Sequence, residues 1–141
     1  MIMTKPNDLQ QTLEMIEPTH VAVAYLGIMW NEYLKNIDIL EEVIVSPTIG
    51  SNPSALSELL DTSSEYGFNV YFCTTLHAKL FIGKDSCLIG SSNLSQNGFG
   101  GGLYEAAVCL TDAESLDQAH RVFETLKQDT VTDPDQQREM V

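Results

Sequence analysis

Basic residues are scarce in this chain: seven Lys and Arg stand against twenty Asp and Glu, a formal charge of −13. Such a balance excludes capture of nucleic acid or anionic lipid by bulk charge alone. Cysteines are few as well, Cys73, Cys87 and Cys109, with no close pair among them. An odd, widely spaced set makes neither a disulfide framework nor the Cys-x-x-Cys arms of a structural zinc site. All three read as reduced, buried small hydrophobes. No apolar run approaches the roughly 18 residues of a membrane span. Met1 to Pro6 hold one Lys with no apolar stretch behind it, so no signal peptide is expected and the cytoplasm is the expected compartment. There is no internal repeat.

What is present suits one globular domain. The 141 residues are 43% hydrophobic, enough for a sizeable core. The acidity is uneven: from Tyr71 to Leu110 the only charges are Lys79, Lys84, Asp85 and Glu105, which cancel. A locally neutral cleft on an acidic body is therefore compatible with the composition.

Asn7-Asp8 reads as the cap of a first helix through about Ile16, with Leu9, Leu13 and Ile16 on one side. Thr19–Leu26 reads as a buried strand, Trp30–Ile37 as a short amphipathic helix, and Glu42–Val45 as a second strand. Ser51-Asn52-Pro53 starts a helix that Gly67 ends. Further strands are expected at Phe68–Cys73, His77–Ile82, Cys87–Gly90 and Leu103–Leu110, and a helix at Asp112–Lys127. Strands alternating with helices and then a hairpin imply an α/β fold, a mixed sheet with helices on both faces. Residues 1–128 form the expected domain. Residues 129–141 have too little apolar content to fold alone and read as a polar tail or linker that frays.

The chemistry concentrates in the hairpin half. In a strand, His77 and Lys79 share a face, while Ala78, Leu80 and Ile82 turn to the core. If Lys84-Asp85 make a two-residue loop, Lys79 lies opposite Gly90 and His77 opposite Ser92. Gly90 would leave room there for a ligand. That register favours Ser92 over Ser91 beside His77, although one bulge would reverse the order. An isolated strand histidine is most often a satisfied core residue. A lysine two places along on the same face needs solvent or an anion, and the polar, Gly-rich run from Gly90 to Gly102 favours an anion site. His20 and His120 sit in other contexts and read as surface or edge residues.

His77-x-Lys79 followed by Gly90-Ser91-x-Asn93, with Glu105 about a dozen residues beyond, resembles the phospholipase D-like phosphodiesterase superfamily. The run from His77 to Phe99 is similar in particular to its single-motif bacterial nuclease and restriction-endonuclease branch. One residue departs from the family pattern: its Asp belongs seven places after the His, where Lys84 stands, and Asp85 reads as a turn residue of a shortened hairpin. The resemblance implies the phospholipase D-like fold and a metal-independent phosphodiesterase without cofactors. It implies His77 as nucleophile and proton-transfer group, Lys79 and Asn93 on the phosphate oxygens with Ser91 or Ser92 in support, and Glu105 orienting His77. Two His-x-Lys copies are needed in that chemistry and the chain has one, so a homodimer is expected, the second copy supplying the other His77. Nucleic acid is the expected substrate, read by a separate DNA-binding domain or partner subunit because the body is acidic. The competing readings are a phospholipid or small phosphodiester hydrolase, which lacks a basic amphipathic membrane segment, and a catalytically silent dimerisation or nucleic-acid-binding module.

Overall fold

The computed structural model describes residues 1–141. Seven strands are present: β1 (Ile2–Met3), β2 (His20–Val23), β3 (Glu42–Val45), β4 (Asn69–Phe72), β5 (Lys79–Ile82), β6 (Cys87–Gly90) and β7 (Ala107–Leu110). Six helices accompany them: α1 (Pro6–Ile16), α2 (Trp30–Tyr33), α3 (Pro53–Tyr66), α4 (Gln96–Phe99), α5 (Ala113–Leu126) and α6 (Pro134–Met140). They build one mixed sheet in the order β1-β7-β6-β5-β2-β3-β4. β2, β3 and β4 run parallel, joined through helices, whereas β5, β6 and β7 are antiparallel neighbours. β5 closes against β2 in antiparallel fashion, which brings the hairpin half to the middle of the sheet. No helix is long and apolar enough to cross a membrane.

Both faces are covered, but unequally. Val21, Val23, Val43, Val45, Phe81 and Leu88 turn to one side and pack under Leu9, Leu13 and Ile16 of α1 and Leu56 and Leu59 of α3. Ala22, Ile44, Leu80, Ile82 and Cys87 turn to the other and meet Ala119 and Phe123 of α5. Alternation along each strand produces this division, and burial on both faces explains why these strands are almost uninterruptedly apolar. Beyond α5 the second face is open: Ile2, Ile89 and Val122 remain 72%, 40% and 45% exposed.

Helix starts follow local chemistry. Asn52 accepts a hydrogen bond from the Ala55 amide at 3.1 Å, and Gly67 ends α3 with φ of 83°. Asp112 caps α5 through the Ser115 amide. α1 differs from expectation, since it begins at Pro6 with Lys5 before it, and Asn7-Asp8 lie inside its first turn. Proline at the first helical position sets that start. The expected helix over Trp30–Ile37 is one turn, α2, followed by a 3₁₀ turn at Ile37–Ile39. Burial of Trp30 and Leu34 holds the segment through packing rather than helical length.

The tail, expected to fray, instead carries regular structure. Val131 exchanges backbone hydrogen bonds with Phe72 at 3.0 and 2.8 Å, extending the edge of β4. Asp133 then caps α6, and Gln137 donates its carboxamide to the carbonyls of Val70 (2.7 Å) and Val131 (2.8 Å). The expectation failed because composition measures apolar content, whereas this segment is held by the unpaired groups of a sheet edge.

His20 is also less exposed than expected. Its ring packs edge-on against Phe123 (5.2 Å between centroids) and His120 (5.1 Å), with Nδ1 2.8 Å from Thr19 Oγ1. Its Nε2 lies 3.4 Å from Glu42 Oε1, and Glu42 takes a 2.7 Å ion pair from Lys127. Burial lowers the His20 pKa, outweighing the pull of Glu41 and Glu42, while His120 and Lys127 push the same way as burial. Burial would raise Glu42, but hydrogen bonds from Lys127 and Tyr71 carry it below its ordinary value. A histidine depressed in the fold binds its proton more readily when unfolded. Its stabilising contribution is therefore complete above about pH 6.5 and is lost as pH falls through the lower folded value. We expect melting temperatures to fall between pH 7.5 and 5 more steeply in wild type than in His20→Asn. Equal slopes in the two proteins would remove His20 from the account.

Candidate active site

The hairpin has the expected register. Leu80 faces Ile89 and Ile82 faces Cys87, and the Gly83 amide bonds to the Ser86 carbonyl at 2.9 Å around the two-residue loop Lys84-Asp85. Both loop residues are exposed, so the displaced Asp85 is a turn residue. His77, however, precedes β5, which starts at Lys79. Freed from the ladder, His77 is exposed, with Lys79 Nζ 3.2 Å from its Nδ1 and 3.3 Å from its Nε2. Partial burial pulls the Lys79 pKa down and the Glu105 carboxylate pulls it up, the first prevailing. A lysine that sheds part of its hydration before ligand arrives is suited to meet an anion.

Asn93, Ser91 and Glu105 gather at the same end of the sheet. The Tyr25 amide donates to Asn93 Oδ1 at 3.0 Å, which leaves the Asn93 NH₂ free as a donor. Ser91 Oγ donates to Glu105 Oε2 and accepts the Ala106 amide at 3.0 Å. Glu105 is thus hydrogen-bonded to Ser91, and its expected contact with His77 is absent. The strand Leu103–Leu110 begins only at Ala107, so Glu105 lies in the loop before β7 and reaches the serine across the β6–β7 pair.

Ser92 does not belong to the accessible set. Its residue is 2% exposed and its Oγ has no hydrogen-bond partner. Leu88 and Leu94, on the same alternate row, are buried, and Ser92 follows them inward. The expected pairing of Ser92 with His77 does not form, because β5 starts only at Lys79. Gly90 also has a different reason from the expected one. A Cβ at Gly90 would stand 2.5 Å from the Ala106 oxygen and from Ala107 Cβ, so its small size admits β7.

Two hollows meet at these residues. One, of about 660 Å³, is lined by His77, Lys79, Gly90 and Ser91 and runs along α5 past Ile89, Leu110 and Val122. A smaller one, of about 230 Å³, is lined by Tyr25, Gly50, Asn93 and Glu105. The Ser91–Glu105 hydrogen bond and the edge-on Tyr25–His77 pair, 6.4 Å between centroids, connect them. Imidazole, ammonium and hydroxyl thereby line one hollow and the carboxamide lines the other, with Lys79 the one Lys or Arg lining either. Lys35, Lys127 and Arg138, by contrast, are tied up in ion pairs with Glu14, Glu42 and Asp61.

Residues 34–127 match the family model described as cardiolipin synthase, PLD-like domain, which spans the whole constellation except Tyr25. The chain belongs to this PLD-like family. NucT from Helicobacter pylori has a similar structure, with a TM-score of 0.76 at 16% identity over 94% of this chain and 98% of its own. Nuc from Salmonella typhimurium, a phospholipase D family member, gives 0.67 at 12% identity, covering 94% and 97%. TrmBL2, an archaeal chromatin protein, gives 0.64 at 14% identity, with 94% of this chain covered and 53% of that one. At such identities the likeness is one of fold. No curated protein sequence matches the chain. The PLD-like assignment agrees with the seven-stranded mixed sheet and its six helices. Sequence reasoning missed Tyr25, which carries no motif of its own. The available signal was its place just past β2, beside a strand bearing the motif.

Proposed function

We propose that the chain is a phosphodiesterase acting on nucleic acid, with a complete site formed by two copies. The observation that carries this reading is the convergence of His77, Lys79, Asn93, Ser91 and Glu105 on two adjoining hollows at one end of the sheet. In the first step a neutral His77 nitrogen attacks phosphorus. A P–N bond forms, the P–O ester bond breaks, and the second copy's His77 gives the leaving oxygen its proton. In the second step that same ring removes a proton from water, which displaces the first histidine. Phosphate monoester and free imidazole result, with no net change in protons on the two rings. Lys79 and the Asn93 NH₂ hold the nonbridging oxygens, where negative charge grows in the transition state. Ser91 donates its one hydroxyl proton to Glu105 and accepts the Ala106 amide, so it braces the loop beside them and does not itself bind the phosphate.

Dimerisation finds support in the open half of the second sheet face. Ile89, Leu110 and Val122 border the same hollow as His77, so a copy covering them would also bring its own His77 close. For nucleic acid, support comes from the motif's likeness to the nuclease branch and from a fold shared with TrmBL2, described as showing a novel mode of DNA binding. The acidic surface then calls for a partner or further domain to hold the polymer.

Light scattering should give a dimer. In excess EDTA that dimer should hydrolyse bis(p-nitrophenyl) phosphate and single-stranded DNA but not phosphatidylcholine. Activity confined to phosphatidylcholine would replace the nucleic-acid reading, and an active monomer would end the two-histidine scheme.

A further inference from the structure

Tyr25 stands between the two groups that the proposed chemistry needs most. It lies two residues past β2, as His77 lies two residues before β5, and the two strands part after Val23 opposite Lys79. Its backbone and side chain then serve different partners. The amide donates to Asn93 Oδ1 at 3.0 Å, while the ring meets the His77 ring edge-on at 82° and 6.4 Å between centroids. That separation and tilt fall within the range of favourable aromatic pairs.

The ring is itself held from behind. A Cβ built at Gly50 would stand 2.4 Å from two Tyr25 ring carbons, so the ring lies directly against the Gly50 backbone. The position of Gly50 follows from Ser51, which is 4% exposed. Ser51 Oγ accepts the Leu26 amide at 3.0 Å and donates to the Ser46 carbonyl at 2.7 Å. These bonds clamp the loop after β3 to the end of β2. A free exposed loop would let Tyr25 swing; the clamp does not.

Resting on the phosphodiesterase reading above, we propose that Tyr25 is a positioning residue that fixes the ring of His77 relative to the carboxamide of Asn93. It acts through those two side chains and touches no reacting atom. His77 needs such a support, since it lies outside the strand and Glu105, the expected orienting group, is engaged with Ser91. The aromatic body performs this role, so its hydroxyl is dispensable.

The test compares Tyr25→Phe, Tyr25→Leu and Gly50→Ala on bis(p-nitrophenyl) phosphate. Tyr25→Phe should keep wild-type kcat within about 2-fold. Tyr25→Leu should lose roughly 10- to 100-fold in kcat with little change in KM, the size of effect that misplacement of a reacting group produces. Gly50→Ala, which displaces the ring while leaving Tyr25 in place, should lose kcat in the same direction. Histidine-ring NMR supplies an activity-independent readout, because the chain has three histidines and His77→Ala assigns one. The His77 resonances should move in Tyr25→Leu and Gly50→Ala while those of His20 and His120 stay in place. A folded Tyr25→Leu with wild-type kcat and unmoved His77 resonances overturns the proposal, as does a Tyr25→Phe as impaired as Tyr25→Leu. Should Tyr25→Leu fail to fold, wild-type kcat and unmoved His77 resonances in Gly50→Ala have the same force. If even wild type hydrolyses nothing, the functional reading falls, and the NMR comparison still decides whether Tyr25 positions His77.

Discussion

His77→Ala is expected to lower kcat for phosphodiester hydrolysis by about 10⁴-fold while leaving the fold intact. Losing one proton-transfer group alone costs up to about 10⁴-fold, and the same substitution also removes the nucleophile. Stability should change by no more than about 0.5 kcal/mol, because the side chain is exposed and lies outside the sheet. Steady-state hydrolysis of bis(p-nitrophenyl) phosphate, with thermal melts of the same samples, measures both quantities. The stronger version uses dimers assembled from one wild-type and one His77→Ala copy, isolated with two affinity tags. Each role requires its own imidazole, so the mixed dimer should be as inactive as the double variant. Half of the wild-type activity in mixed dimers would mean that each copy works alone, and the shared site would have to be abandoned.

Phe123→Ala is expected to cost about 3–5 kcal/mol of folding stability, a large fraction of what a domain of this size possesses. Phe123 is fully buried, and with Ala119 it joins α5 to Ala22, Leu80 and Ile82 on the second sheet face. No other helix in this cluster could take over the contact. The cavity left under α5 would also loosen the groove that Ala119 and Val122 share with His77 and Lys79. Urea titration should show a lower midpoint with an unchanged slope. An exposed residue on the same helix, Gln118→Ala, should leave the midpoint unchanged, which separates a packing effect from one of helix propensity. A Phe123→Ala midpoint equal to that of wild type would show that α5 is held without Phe123, by its other contacts such as Ala119 and the Lys127–Glu42 ion pair.

Most of the sheet is legible from pattern because its strands are short apolar runs closed by turn residues. Glu42–Val45, Cys87–Gly90 and the helix from Pro53 to Gly67 read directly from alternation, caps and a C-terminal glycine. Where local pattern competed with packing, packing prevailed. Trp30–Ile37 has helical spacing, yet burial of Trp30 and Leu34 needs one turn, and the chain then changes course. The tail lacks apolar residues, yet an open sheet edge gave Val131 and Gln137 hydrogen-bond partners that no local window contains.

For the site, the chain's residue order specified the chemical types, their spacing and the hairpin register that puts Lys79 opposite Gly90. Those follow from covalent connectivity and from the two-residue side-chain period, both of which are local. It also specified that a single His-x-Lys is present, and hence that the proposed chemistry needs a second copy. The fold decided the orientations: Ser92 inward, Ser91 outward onto Glu105, and the Asn93 carboxamide held by the amide of Tyr25. These depend on where β7 and the end of β2 pass the hairpin, at separations of 14 and 68 residues for the Ser91–Glu105 and Tyr25–Asn93 contacts. A motif can name the groups that meet a phosphate. Which way each one points is set by strands from elsewhere in the chain, through packing and hydrogen bonds.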